Sequence, residues 1–193
     1  MTKTHTNHKY ASQYDKHTCH TAPACLACGE RKQAGAMTTL YDLPGHLVRR
    51  LNQISTAIFA ARMDEAGVDL TPVQFAALAA LAEHPGVDQA TLAGLIAHDR
   101  VTIGGVVDRL EGKGMLSRSV SAQDRRARVL ELTAAGRNML AQLAPAIAEV
   151  QQRTLAGLTP AEAEAFVALL RKATEAGNEY SRAPLRRGAR AED

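Results

Sequence analysis

The hydrophobic period of this chain changes at Met115, and no other feature narrows its possible folds as much. Up to Gly112-Lys113-Gly114 the apolar residues recur at helical spacing. From Met115 to Val120 and from Arg128 to Thr133 the period shortens. Leu130 and Leu132 alternate there against Val129 and Glu131, and the two runs flank the polar loop Ser121 to Ala127. After Thr133 helical spacing returns. One small hairpin is thus embedded in an otherwise helical sequence.

The helical segments have readable ends. Leu47, Leu51, Ile54 and Ile58, between Pro44 and Gly67, predict a long amphipathic first helix whose opposite face carries Arg49, Arg50, Gln53 and Arg62. Thr71-Pro72 starts a second helix, with Thr as cap and Pro at the first position, and His84-Pro85-Gly86 stops it. Asp88 caps a third. The break at His98-Asp99 leads into a fourth bearing Ile103, Val106, Val107 and Leu110, which Gly112-Lys113-Gly114 ends. Thr133 caps a long helix with Leu140, Leu143, Ile147 and Val150, and Thr159-Pro160-Ala161-Glu162 is a capping box opening a last one with Phe166, Leu169 and Leu170.

This order predicts a mainly α fold with a small β-hairpin wing: a winged helix-turn-helix over residues 71–133, flanked by dimerisation helices at 40–66 and 134–180. With 193 residues there is room for one domain of about 150 residues plus tails. Residues 37–181 are read as that domain, and 182–193 as a basic, unpatterned tail. Residues 1–36 lack a sustained apolar period, so they are expected to be a disordered leader, with Met37 an alternative start. No apolar run approaches the roughly 18 to 20 residues that span a bilayer, and the N-terminus has no signal-peptide core, so a cytoplasmic protein without a membrane partner is expected. Cys19, Cys25 and Cys28 all lie in the leader, which excludes a disulfide-stapled secreted domain.

The formal net charge of +3 is too small to argue for nucleic acid, so the case rests on where the charge lies. A recognition helix buries one face and offers small or polar residues to the major groove. In the fourth helix the buried stripe leaves Thr102, Gly105 and Arg109 outward, with Arg100 near the start and Lys113 near the end. The adjacent glycines Gly104 and Gly105 each cost about 1 kcal/mol relative to Ala, understandable where another backbone approaches closely. From Arg100 to Glu131, Arg100, Arg109, Lys113, Arg118, Arg125, Arg126 and Arg128 outnumber Asp108, Glu111, Asp124 and Glu131. Such an excess on helix and wing suits phosphate and minor-groove binding. Double-stranded DNA is therefore the expected partner.

At these residues the chain resembles the MarR family of multiple antibiotic resistance regulators. The resemblance is carried by Leu92-Ala93, Thr102, Val107-Asp108-Arg109-Leu110-Glu111, Lys113-Gly114, Asp124-Arg125-Arg126, Leu132-Thr133, Gly136 and Arg137, and extends over about Leu40 to Tyr180. It implies that Arg126, with Arg125, enters the minor groove and that Asp124 steadies the wing by pairing with a neighbouring basic side chain. It also implies a homodimer whose first and last helices interlock. The function expected is a repressor released from a pseudo-palindromic operator by a small aromatic carboxylate, benzoate-like or hydroxynicotinate-like. On this chain His46, Arg49 and Arg50 offer an imidazole and guanidinium forks to a carboxylate, while Phe75 and Leu78 offer an apolar wall or belong to the core.

The rival readings are weaker. His17-x-Cys19-His20 with Cys25-x-x-Cys28 has ligand types that bind zinc, which leaves a metal-responsive regulator open, but the segment has no fold of its own. A redox-responsive regulator has no cysteine in the folded part to use. His84 and His98 share no metal-ligand spacing and read as turn residues. No nucleophile, base or phosphate loop stands out, so neither an enzyme nor a cofactor is expected. A helical interaction module without DNA would leave the arginine-rich wing unexplained.

Overall fold

The computed structural model describes residues 39–120 and 128–186. The leader, with His17, Cys19, Cys25 and Cys28, and the wing residues Asp124, Arg125 and Arg126 lie outside the described residues. Within them the elements follow the expected order: α1 (Pro44–Glu65), α2 (Pro72–Glu83), α3 (Gln89–Leu95), α4 (Ile103–Gly112), β1 (Leu116–Val120), β2 (Arg128–Leu132), α5 (Ala134–Thr154) and α6 (Pro160–Ala176). Single 3-10 turns, which the sequence pattern does not signal, add Leu40–Asp42 and Asn178–Tyr180.

The caps explain the boundaries. Thr71 Oγ1 accepts from the Gln74 amide at 3.2 Å and the Thr71 amide donates to Gln74 Oε1 at 3.1 Å, with Pro72 at the first position. Thr159 and Glu162 repeat the arrangement at α6, and Asp88 accepts from the Thr91 amide at 2.7 Å. At the end of α4 the chain must reverse sharply into β1. Gly114 does this at φ +69°, letting its own amide reach the Glu111 carbonyl and the Met115 amide the Leu110 carbonyl at 3.0 Å.

β1 and β2 pair antiparallel, with Leu116 opposite Leu132, Arg118 opposite Leu130 and Val120 opposite Arg128. Leu116, Leu130 and Leu132 are buried, so this face of the hairpin closes the core. Val87, which the sequence reading leaves in the turn after α2, adds an isolated bridge to Leu130. The root of the wing is fastened through Thr133, whose hydroxyl donates to the Gly114 carbonyl at 2.6 Å and accepts from the Gly136 amide at 3.1 Å. Gly136 then lies so close beneath Met115 that a Cβ there would sit 2.0 Å from the Met115 carbonyl oxygen. The Leu-Thr-x-x-Gly pattern thus locks α5 to the end of α4.

The core joins Met63 of α1, Leu78 and Leu81 of α2, Leu92 of α3, Ile103, Val107 and Leu110 of α4, the two strands, and Val150 of α5. Burying each such side chain contributes about 1.5–3 kcal/mol. α1 packs mainly on α5, where Arg62 bonds Glu149 at 2.6 Å and Arg153 bonds the other oxygen of the same carboxylate at 2.6 Å. The outer elements are different. No residue of α6 is buried, and Val167, Leu169 and Leu170 are exposed, as are Leu40, Tyr41 and Leu43 just before α1 and Leu47, Val48 and Ile54 in its first half. Among the described residues no helix is long and apolar enough to cross a membrane.

Candidate nucleic-acid interface

α4 divides its faces as the sequence predicts. Ile103, Val106, Val107 and Leu110 are buried, while Gly105, Asp108 and Arg109 face outward. The two glycines differ. A Cβ on Gly104 would meet Gln89 Nε2 of α3 at 3.4 Å, an ordinary contact with the end of a flexible side chain, whereas a Cβ on Gly105 would meet nothing within 4 Å among the described residues, which leaves an open notch on the outer face.

The turn before α4 is built on Asp99. Its carbonyl accepts from the Thr102 amide at 3.1 Å and the Ile103 amide at 3.0 Å, and its Oδ1 accepts from the Val101 amide at 2.8 Å. Thr102 is exposed, but its hydroxyl is engaged locally, at 3.2 Å from the Asp99 carbonyl and 3.1 Å from His98 Nε2. His98, read from the sequence as a turn residue, therefore helps set the Thr102 rotamer. Ala97, at φ +51°, completes the turn in the left-handed region, a strain that only the surrounding contacts hold in place. Val101 is 86% exposed at the tip, an apolar side chain suited to a thymine methyl that the sequence reading passes over.

The positive charge is distributed less evenly than a count along the chain implies. Lys113, at the end of α4, bonds the Asp69 carboxylate at 2.8 Å and also the Asp69 carbonyl, so it faces the α1–α2 connection. Arg118 lies on the inward face of β1, in register with Leu130, and its guanidinium bonds both Asp108 and Glu111 of α4. The hydrogen bond to Asp108, reinforced by the charge of both acids, raises the Arg118 pKa above its ordinary value. Arg118 therefore neutralises the acids on the recognition helix and ties the wing to it. Arg100, Arg109 and Arg128 are exposed and form no ion pair among the described residues, and the charge of Arg100 contributes to the lowered pKa of Asp88, whose main cause is the Thr91 amide. Among the described residues of the α3–α4 turn, α4 and the hairpin, these three are the cations left without an ion pair.

The proposed carboxylate residues do not form one site in a single chain. His46 is half-buried, with its ring edge-on to Tyr41 at 5.9 Å and its Nε2 buried without a hydrogen-bond partner among the described residues. Arg49 and Arg50 are exposed, and Arg49 bonds Gln53 at 3.1 Å. Phe75 packs on Phe59 with ring centroids 6.1 Å apart, and Leu78 is fully enclosed in the core, which is its place instead of a ligand wall. His46 precedes Phe59 by more than three turns of α1, about 20 Å along the axis, so its end of the helix and the Phe59–Phe75 pair cannot hold one small acid between them.

Comparison with known proteins gives these faces a context. The MarR family pattern matches residues 70–127, from the end of the α1–α2 connection into the wing. The chain is 35% identical over 137 residues to the HTH-type transcriptional repressor NicR of Pseudomonas putida, covering 69% of this chain and 85% of that protein. Among solved structures it resembles Bordetella bronchiseptica BpsR, whose DNA binding is regulated by 6-hydroxynicotinic acid, at 33% identity and a TM-score of 0.67, over 72% of this chain and 98% of that one. It is also similar to the transcriptional repressor CouR bound to a 23-mer DNA duplex, at 30% identity and a TM-score of 0.65, over 70% and 94% of the two chains.

Proposed function

The chain belongs to the MarR family, and we propose that this transcriptional regulator is a homodimeric repressor, released from a pseudo-palindromic operator by a small aromatic carboxylate. The observation that carries the DNA-binding part is the outer face of α4: an open notch at Gly105 beside Arg109 and Arg100, neither of them in an ion pair among the described residues, while Arg118 occupies the acids of that helix. A phosphate backbone can approach such a face closely and meets no uncompensated negative charge.

Dimerisation is supported by the uncovered apolar residues of α6 and of the first turns of α1. Among the described residues these apolar side chains are left uncovered, and a second copy supplies the same surfaces in a self-complementary contact. The ligand reading follows from the same arrangement. A buried His46 Nε2 without a partner among the described residues is a costly donor or acceptor until something satisfies it, and a carboxylate beside Arg49 and Arg50 does so with charge-assisted bonds. Because the apolar Phe59–Phe75 pair lies about 20 Å away along α1, the ring of the acid is covered by residues that dimerisation brings to His46.

The test begins with a duplex selected from a random-sequence pool by the intact protein. Arg109→Ala is expected to weaken binding to it and to lower the salt slope by about 0.9 for the lost phosphate contact. An unchanged slope and affinity would remove Arg109 from the interface. Titrating 6-hydroxynicotinic acid and benzoate with and without the duplex tests release, because linkage requires DNA to weaken the acid by the factor by which the acid weakens DNA. Equal affinity in both conditions rules those acids out.

A further inference from the structure

The residues after α6, including the first of those that the sequence pattern marks from Arg182 as an unpatterned tail, are fastened to the helix-turn-helix. Asn178 closes the loop that follows it from both sides: its Nδ2 donates to the Leu185 carbonyl at 3.1 Å and its Oδ1 accepts from the Leu185 amide at 2.7 Å. The next residue, Arg186, donates its backbone amide to the Gly94 carbonyl of α3 at 2.8 Å. Its side chain lies against Gly94 so closely that a Cβ there would be 3.1 Å from Arg186 Cβ. Arg182 Nε reaches Asp99 Oδ2 at 2.9 Å, on the residue whose carbonyl and other carboxylate oxygen hold the amides of Val101, Thr102 and Ile103.

We propose that Asn178 and Arg182 are positioning residues for DNA recognition: they fasten the segment after α6 onto the α3–α4 turn and so set the start of the recognition helix. The inference rests on the reading of α4 as that helix. Each chain then has two connections between its outer helices and its recognition helix, one through α5 and the hairpin and one through this segment.

The manner of attachment decides which residue matters most. An open cavity of about 620 Å³, bordered by Ala97, Thr174, Gly177 and Ala183, separates the segment from the end of α6. On that side the loop is held by discrete hydrogen bonds, two of them from Asn178, while at α3 the Arg186 side chain packs against Gly94. Arg182 is 87% exposed, and a surface ion pair contributes little by itself. Its role is directional, since it fixes the Asp99 carboxylate that also receives the Val101 amide beside the strained Ala97.

The experiment uses the full chain and a duplex that the wild-type protein selects from a random pool. Affinity for it and for an unselected duplex is measured at several salt concentrations for wild type, Asn178→Ala, Asn178→Asp and Arg182→Gln, with amide exchange of Val101, Thr102 and Ile103 followed in the free protein. Asn178→Ala is expected to weaken the selected duplex about tenfold, within the range of couplings carried by residues that touch neither site, with the salt slope and the unselected duplex unchanged. The three amides exchange faster. Asn178→Asp keeps the acceptor and falls between Ala and wild type, and Arg182→Gln shows a smaller loss of the same kind.

Affinity for the selected duplex within about twofold of wild type in Asn178→Ala, with unchanged exchange, overturns the proposal. So does a salt slope lowered by about one in Arg182→Gln, which makes Arg182 a direct phosphate contact. If the wild-type protein enriches no duplex, the recognition-helix reading itself fails, and the exchange rates alone then decide whether the segment holds the turn.

Discussion

In α4 the apolar stripe is closed: Ile103, Val106, Val107 and Leu110 are all buried by α2, α3 and the hairpin. In α6 the stripe of Phe166, Leu169 and Leu170 is open, and none of its 17 residues is buried, with Leu169 64% exposed. Both helices follow the same rule of apolar spacing, and α6 begins at the capping box the sequence shows, while α4 starts at Ile103, after Arg100 and Thr102. The difference lies in what covers them. An amphipathic stripe states that a helix has a partner; whether the partner belongs to the same chain is decided elsewhere.

A pair of truncations separates the closed stripe from the open one. Leu110→Ala removes an enclosed side chain and is expected to cost about 2–5 kcal/mol at any protein concentration. Leu169→Ala should leave the isolated chain almost as stable, its loss appearing only as weaker association. Denaturant unfolding at two protein concentrations reads both. Equal, concentration-independent losses would mean that α6 has no partner copy.

The next effect belongs to the joint between the two regions. Gly136→Ala drives a Cβ to 2.0 Å from the Met115 carbonyl oxygen, where only backbone movement gives relief, so a loss of about 1–3 kcal/mol is expected. A melting temperature equal to that of wild type would show that α5 is not locked to the end of α4 through this contact.

Asp88→Ala should cost about 1 kcal/mol near neutral pH as the cap of α3 is lost. The Thr91 amide, donating to the carboxylate, lowers the Asp88 pKa below its ordinary value, so this contribution is complete above the unfolded-state value and fades as pH falls through the lower folded one. Stability curves of wild type and Asp88→Ala should therefore converge in acid. Parallel curves down to the lowest accessible pH would assign the cost to something other than the charged cap.

The smallest expected change separates stability from recognition most cleanly. Gly105 faces open space, so Gly105→Ala is expected to raise stability by up to about 1 kcal/mol while weakening the selected duplex. Tighter DNA binding in this variant would show that no backbone approaches the notch.

Much of the fold is legible in the sequence because its signals are short-ranged. Thr71 with Gln74, Asp88 with Thr91, Thr133 with Gly136 and Thr159 with Glu162 each act within one helical turn, and the inward face of α4 follows from its period alone. The candidate interface is only half legible. Asp108 and Glu111 share a helix face at i and i+3, and the alternation of β1 turns Arg118 inward, so their union had a visible signal. Lys113 had none, because its acid, Asp69, lies 44 residues earlier on another connection.

The sequence by itself determined the elements, their order and the family resemblance, since caps, turns and periods are interactions between residues a few positions apart. Only the tertiary structure decided which charges remain free. It leaves Arg100, Arg109 and Arg128 without ion pairs among the described residues, engages Lys113 and Arg118, parts His46 from Phe59, the ring partner of Phe75, by about 20 Å of helix, and lays Arg182 and Arg186 on the helix-turn-helix. The physical reason is range: such pairings depend on where the core brings distant segments together, and neither charge nor apolar spacing along the chain carries that distance.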